Sequence, residues 1–214
     1  MTGAGAAMRR VLEARAGVAP LGEAEVDVLA ELAERVRELN EAVVFTGVDV
    51  DEIAAVRDEV AALTARLSVV RREHPPLAEA RIGGMTRQLA SPVSGVVNPI
   101  APPVHIQTLP DGTARAEFQI GPIYEGPPSF VHGGVSAMIL DQVLGMAASA
   151  NGTPGMTATL ELRYRRPTPH GVPLVAEGKV TRSEGRRTFA DARILGPDGQ
   201  VTVEATAMFV MPMR

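Results

Sequence analysis

Residues 131–151 read VHGGVSAMILDQVLGMAASAN, and their interior is almost wholly small or apolar. A helix built from them is expected to be buried nearly all round rather than along one stripe. Asp141 is the one acid in the run. An ionised carboxylate withdrawn from water costs several kcal/mol, of the order of 3–5, unless it is paired or hydrogen-bonded, so its place here asks for a reason. A structural reading is available, in which local donors satisfy it. The other reading is chemical. Gly133 and Gly134 stand where the helix begins, and the first N–H groups of a helix have no partner within it, so they are free to serve an oxyanion or a polarised carbonyl.

Working outward, the segments on both sides read as strands. Residues 104–109 and 113–120 flank Pro110-Asp111-Gly112, with Ala114, Ala116, Phe118 and Ile120 alternating with polar neighbours, which predicts a hairpin. Downstream, residues 157–165, 172–181 and 187–195 follow, and a second Pro-Asp-Gly turn at 197–199 leads into 201–211. Leu160, Leu162 and Tyr164 share one face of the first of these, and Val203, Ala205, Ala207 and Phe209 one face of the last. One long apolar helix among about six strands predicts an α+β architecture with a sheet wrapped around the helix.

His132-Gly133-Gly134, an acid nine positions after the histidine, Tyr164-x-Arg166-Pro167 and Glu184 to Thr188 occur together and in order. In this the chain resembles the hotdog-fold acyl-CoA thioesterases of the PaaI-like and thioesterase-superfamily-member group, over roughly residues 95–214. The resemblance implies a hotdog fold and hydrolysis of an acyl-coenzyme A to free acid and coenzyme A, with no cofactor beyond the coenzyme A of the substrate. Asp141 is then the general base or the nucleophile, alternatives the residues leave open. The Gly133 N–H polarises the carbonyl, and His132 either orients that carbonyl or holds the loop. Thr157 stands where relatives carry an active-site Ser or Thr, and the resemblance implies that it arrives from a neighbouring subunit. Gly134 joins the substrate-binding set, and Arg165, Arg166, Arg186 and Arg187 are candidates for the coenzyme A phosphates, because guanidinium forks suit phosphate oxygens. Many relatives hold Asn or Gln six positions before the histidine; here that position is Gly126, within Glu125-Gly126-Pro127-Pro128. The resemblance further implies a homodimer or homotetramer with sites between subunits. A noncatalytic acyl-CoA sensor is the competing reading. A hydratase fits less well, because its D-x-x-x-x-H pattern is not the one found.

The first part of the chain lies outside the resemblance. Leu29, Leu32, Val36, Leu39 and Val43 recur at steps of three and four, as do Ile53, Val56, Val60, Leu63, Leu67 and Val70. They predict two helices, the second capped by Asp49 or Asp51 and ended by Pro75 and Pro76, forming a helical hairpin that packs on itself, on the core domain or across a dimer. The expected division is therefore a hairpin extension at 1–76, a linker rich in Pro and Gly at 77–103, and the thioesterase domain at 104–214.

Composition sets outer bounds. With 45% hydrophobic and 21% charged residues over 214 positions, the chain suits one globular domain with an appendage. There is no cysteine, so neither a disulfide framework nor a thiolate metal site is available, and four histidines serve a metal poorly. No metal is expected. Residues 1–75 carry 14 acids and 9 bases, a charge of −5 that repels nucleic acid, and the chain has no tryptophan for base stacking. The start reads as neither a signal peptide nor a membrane span, so the expected location is cytoplasmic.

Overall fold

A computed structural model describes residues 19–78 and 87–211. Residues 1–18, part of the expected linker at 79–86, and 212–214 lie outside the described residues. The contacts divide the chain into two compact units, one holding 19–78, 87–90 and 96–99, the other 91–95 and 100–211.

The first unit contains helices α1 (Glu23–Phe45) and α2 (Val50–Leu67). Asp49 caps α2, its Oδ1 accepting from the N–H groups of Asp51 at 3.1 Å and Glu52 at 2.9 Å. Such a cap is worth about 1 kcal/mol. Strands β1 (Leu77–Ala78) and β2 (Arg87–Gln88) pair antiparallel, so the stretch read as linker carries a small ladder. Two-residue strands are too short to leave a periodic signal. Leu21, Val26, Ala78 and Leu89 form a buried cluster with Leu29, Val96 and Val97 packed against it. The pair of helices is present as expected, but no residue of α2 is buried within the chain.

The second unit is a six-stranded antiparallel sheet with one long helix on its face. The strands are β3 (Gln107–Thr108), β4 (Ala114–Gln119), β5 (Met156–Tyr164), β6 (Pro173–Glu184), β7 (Arg187–Leu195) and β8 (Val201–Val210), in the order β3-β4-β6-β7-β8-β5. β3 is shorter than the alternation predicted, because the Val104 N–H turns back to the Pro102 carbonyl at 2.7 Å instead of joining a ladder. Helix α3 (Gly133–Ala150) is buried at Ser136, Ile139, Leu140, Val143, Leu144, Ala147 and Ala148, one stripe at steps of three, four and one. Burial all round is thus not what one chain provides. Asp141, Gln142, Gly145 and Met146 remain half-exposed on another side.

The floor under α3 is made of small side chains: Ala114 and Ala116 on β4, Ala176 on β6, Ala190 and Ala192 on β7, and Ala205 and Ala207 on β8, all buried. Alternation sends these inward and charged neighbours outward, where Glu177 binds Arg115 at 2.8 Å and Arg193 at 2.6 Å. Gly178 marks the closest approach. A Cβ there would stand 2.9 Å from both the Ala192 Cβ and the Val143 Cγ1.

The loop leading into α3 is pinned by Glu125. Its Oε2 lies 2.8 Å from His170 Nε2 and accepts the Ser129 N–H at 2.8 Å. Ser129 has a φ of 71°, a left-handed conformation that costs a non-glycine residue about 1–2 kcal/mol and needs such anchoring. Backbone bonds complete the loop: Gly126 N–H to the Phe130 carbonyl at 2.9 Å, His132 N–H to the Tyr124 carbonyl at 2.9 Å, and Val131 N–H to the Thr168 carbonyl at 2.8 Å.

Two tests follow from this packing. Gly178→Val should lower stability by about 1–3 kcal/mol through overpacking, read as a reduced urea midpoint at unchanged slope. The Glu125 carboxyl is held below its ordinary value of 4.5, first by the His170 hydrogen bond and then by the Ser129 N–H. A depressed carboxyl stabilises the fold above the ordinary carboxylate range and ceases to do so as pH falls through its folded value. Urea midpoints measured from about pH 6 down to about pH 3 should therefore fall less steeply for Glu125→Gln than for the unaltered chain.

Candidate active site

His132 has an extended backbone (φ −58°, ψ 133°) and serves as the cap of α3, its Nδ1 accepting the Gly134 N–H at 3.0 Å. The His132 carbonyl takes the N–H groups of Val135 at 2.9 Å and Ser136 at 3.3 Å. The Gly133 N–H has no hydrogen-bond partner among the described residues. It is the one donor at this helix start left for an incoming oxygen, where the helix dipole favours negative charge. Gly134, expected to bind substrate, gives its N–H to His132 Nδ1.

Tyr164, at the end of β5, fixes the glycine from the other side. Its hydroxyl donates to the Gly133 carbonyl at 2.9 Å, and a Cβ on Gly133 would lie 3.3 Å from the phenol ring. The alternation placed Tyr164 on one face of its strand with Leu160 and Leu162 but carried no sign of this bond; the Y-x-R-P motif was the available signal.

Asp141 lies two turns further along α3. Its Oδ1 accepts the Thr157 hydroxyl at 2.9 Å, while Oδ2 accepts nothing among the described residues. The acid and the threonine thus belong to one chain and form a pair within it. β5 begins beside Asp141 and ends beside Gly133, so the strand carries Thr157 at one end and Tyr164 at the other. Eight residues of helix separate Asp141 from Gly133, about 12 Å along the axis at 1.5 Å per residue. The carboxylate and the free amide therefore do not face one another within one chain.

The arginines divide between the same two ends. Arg165 and Arg166 follow Tyr164; Arg165 pairs with Glu204 at 2.7 Å, and Arg166 with Asp198 at 3.0 Å and the Val201 carbonyl at 3.1 Å. Asp198 is held below the ordinary carboxylate range mainly by the Gln200 N–H, with Arg166 adding to it. Arg186 and Arg187 stand at the Thr157 end, where Arg187 pairs in register with Val210 and Val210 with Met156. Arg186 binds the Met211 carbonyl at 2.6 Å. The exposed Arg187 side chain has no partner among the described residues. Gly126 packs against His132: a Cβ at 126 would meet the His132 Cα at 2.8 Å, so this loop conformation excludes the Asn or Gln of relatives. Glu125 does not replace that group, because its carboxylate is committed to His170 and Ser129.

Comparison with known proteins converges on one family. Residues 129–203 match the thioesterase superfamily. Over 94 residues the chain is 39% identical to the acyl-coenzyme A thioesterase THEM4 of Xenopus laevis, covering 44% of this chain and 42% of that protein. The THEM4 of Mus musculus is 37% identical over 94 residues, covering 44% and 40% respectively. The chain therefore matches less than half the length of these curated relatives. A crystal structure of a thioesterase superfamily protein extends the likeness to nearly the whole chain, with 35% identity, 90% of this chain and 98% of that one covered, and a TM-score of 0.77. On a relative 35% identical over 90% of this chain and 98% of its own length, the chain belongs to the thioesterase superfamily and has its hotdog fold.

Proposed function

We propose that the protein hydrolyses acyl-coenzyme A thioesters, at sites formed between two copies of the chain. The observation that carries this reading is the pairing of an unspent Gly133 N–H with an Asp141 carboxylate that keeps one oxygen open. Thioester hydrolysis asks for both groups at one carbonyl, the donor on its oxygen and the base beside its carbon. A carbonyl bond is only about 1.2 Å long, so groups 12 Å apart on one helix cannot serve the same one. Asp141 of one copy therefore works with Gly133 of the partner subunit.

The open edge of the sheet supports the same arrangement. β5 is a nine-residue edge strand next to β8 alone, and neither proline nor lysine guards it. A second copy added antiparallel along that edge brings the Asp141 end of one chain to the Gly133 end of the other. Leu160 and Leu162, half-exposed in one chain, are then covered.

In the reaction, Asp141 takes a proton from water as the water oxygen adds to the carbonyl carbon and passes it to the departing sulfur; alternatively the carboxylate adds to that carbon itself, giving a mixed anhydride that water then cleaves to the free acid and the restored carboxylate, the proton released going to the thiolate. In either route negative charge builds on the carbonyl oxygen against the partner's Gly133 N–H, the C–S bond breaks, and the sulfur leaves as the thiol of coenzyme A once protonated. Thr157 holds the carboxylate in place. The arginines at the two ends of β5 come together in the pair and suit the phosphates of coenzyme A; Arg187 is the one that need not leave an existing partner. The substrate brings the coenzyme A, and no separate cofactor is required.

Asp141→Asn should reduce kcat by about 10²–10⁴-fold in a thiol-release assay while acyl-coenzyme A still binds by calorimetry. If no acyl-coenzyme A of any chain length is turned over by the unaltered protein although it binds, the chain is a sensor and the proposal fails. Gly133→Pro removes the donor at a position where helices accept proline and where His132 already has the backbone angles that precede it. It should cost about 10²–10³-fold in kcat. Mixing the two inactive variants and allowing subunits to exchange should restore activity, since one site of each hybrid has both groups intact. A hybrid as inactive as its parents would rule out sharing between subunits.

A further inference from the structure

The second helix of the extension carries a seam that its own chain leaves open. Ile53, Val56, Val60, Leu63 and Leu67 follow heptad spacing along α2, yet Ile53 is 46%, Val56 37%, Leu63 51% and Leu67 63% exposed. Scattered apolar residues on a surface need no explanation, but a continuous stripe at alternating steps of three and four does. Of the charges flanking it, Glu52, Arg57 and Glu59 lie in the first ten residues of the helix, and Arg66 in its last turn. Glu59 and Arg66 occupy the same flanking position of successive heptads, are exposed, and have no partner among the described residues.

We propose that α2 packs antiparallel against α2 of a second copy of the chain. In that register Val60 meets Leu63 of the partner subunit and Val56 meets Leu67 of the partner subunit. Glu59 then stands opposite Arg66 of the partner subunit, and the two-fold axis repeats the pair. Flanking residues of this class face their own kind only when the helices are antiparallel. Reversal also sets the acidic start of each helix, with its positive dipole end, beside the closing turn of the other. An anionic lipid surface is a poor occupant, because Glu52 and Glu59 flank the seam beside Arg57 and Arg66 and leave it no net positive charge. Eighteen residues span about 27 Å, short for a free coiled coil, so the contact joins folded chains and is not an independent zipper. It uses none of the residues of the β5 edge and does not depend on the proposed reaction.

The absence of native cysteine makes the test direct. The full-length Val60→Cys/Leu63→Cys variant should yield a disulfide-linked dimer on mild oxidation, seen on a non-reducing gel, with unchanged circular dichroism. Adding Glu59→Arg or Arg66→Glu alone should slow its formation roughly five-fold by placing like charges together. Combining the two exchanges should restore the original rate. No covalent dimer, a rate indifferent to these charges, or failure of the combined exchange to rescue would overturn the proposal. So would charge-independent capture by Val60→Cys alone, the mark of a parallel pair. Because the readout is capture at α2, an inactive enzyme leaves this result intact, and loss of capture leaves the assignment of Asp141 untouched.

Discussion

The closeness of α3 to its sheet is the constraint on which the second unit depends. Alanine repeats across β4, β6, β7 and β8, and Gly178 removes the last side chain that would hold the helix off. Interiors packed to crystal-like density transmit such spacing faithfully, so the floor determines where every residue of the helix stands. At this height the short hydroxyl of Thr157 reaches Asp141 and the longer Tyr164 reaches the first peptide of the helix. Larger side chains below would lift α3 and separate both pairs.

The helix also imposes a distance that no side chain can cancel. The amide at its start and the acid two turns later are fixed by backbone rise, and β5 runs between them as an edge strand. One chain thus has a donor end and a carboxylate end. In the proposed pair, two-fold symmetry places unlike ends together twice, as an isologous contact requires.

Most of this sheet was legible in the sequence because its signals are local. The two Pro-Asp-Gly turns and the alternation in Ala114–Ile120 and Val203–Phe209 mark strands that β4 and β8 occupy almost to the residue. The helix was legible too, although its composition suggested enclosure on all sides; composition reports that a surface avoids water without saying whether its own chain covers it. Asp141, Thr157 and Gly133 could be singled out by residue type and motif. Their division into two ends could not, since it follows from which strand lies beside which, a nonlocal fact. The His170–Glu125 tie joins residues 45 apart in sequence and left no periodic trace. The short ladder of β1 and β2 escaped for the opposite reason, being too brief to show a period.

The capping role of His132 limits what else that residue can do. A ring nitrogen that accepts from a peptide carries a lone pair there, so the neutral ring keeps its hydrogen on Nε2. That tautomer offers an outward donor but no outward acceptor. Nδ1 is thereby committed to the turn that presents the Gly133 amide. The imidazole is therefore suited to a static part, polarising or orienting what lies before it, in keeping with the proposal that gives proton transfer to Asp141 of the partner subunit.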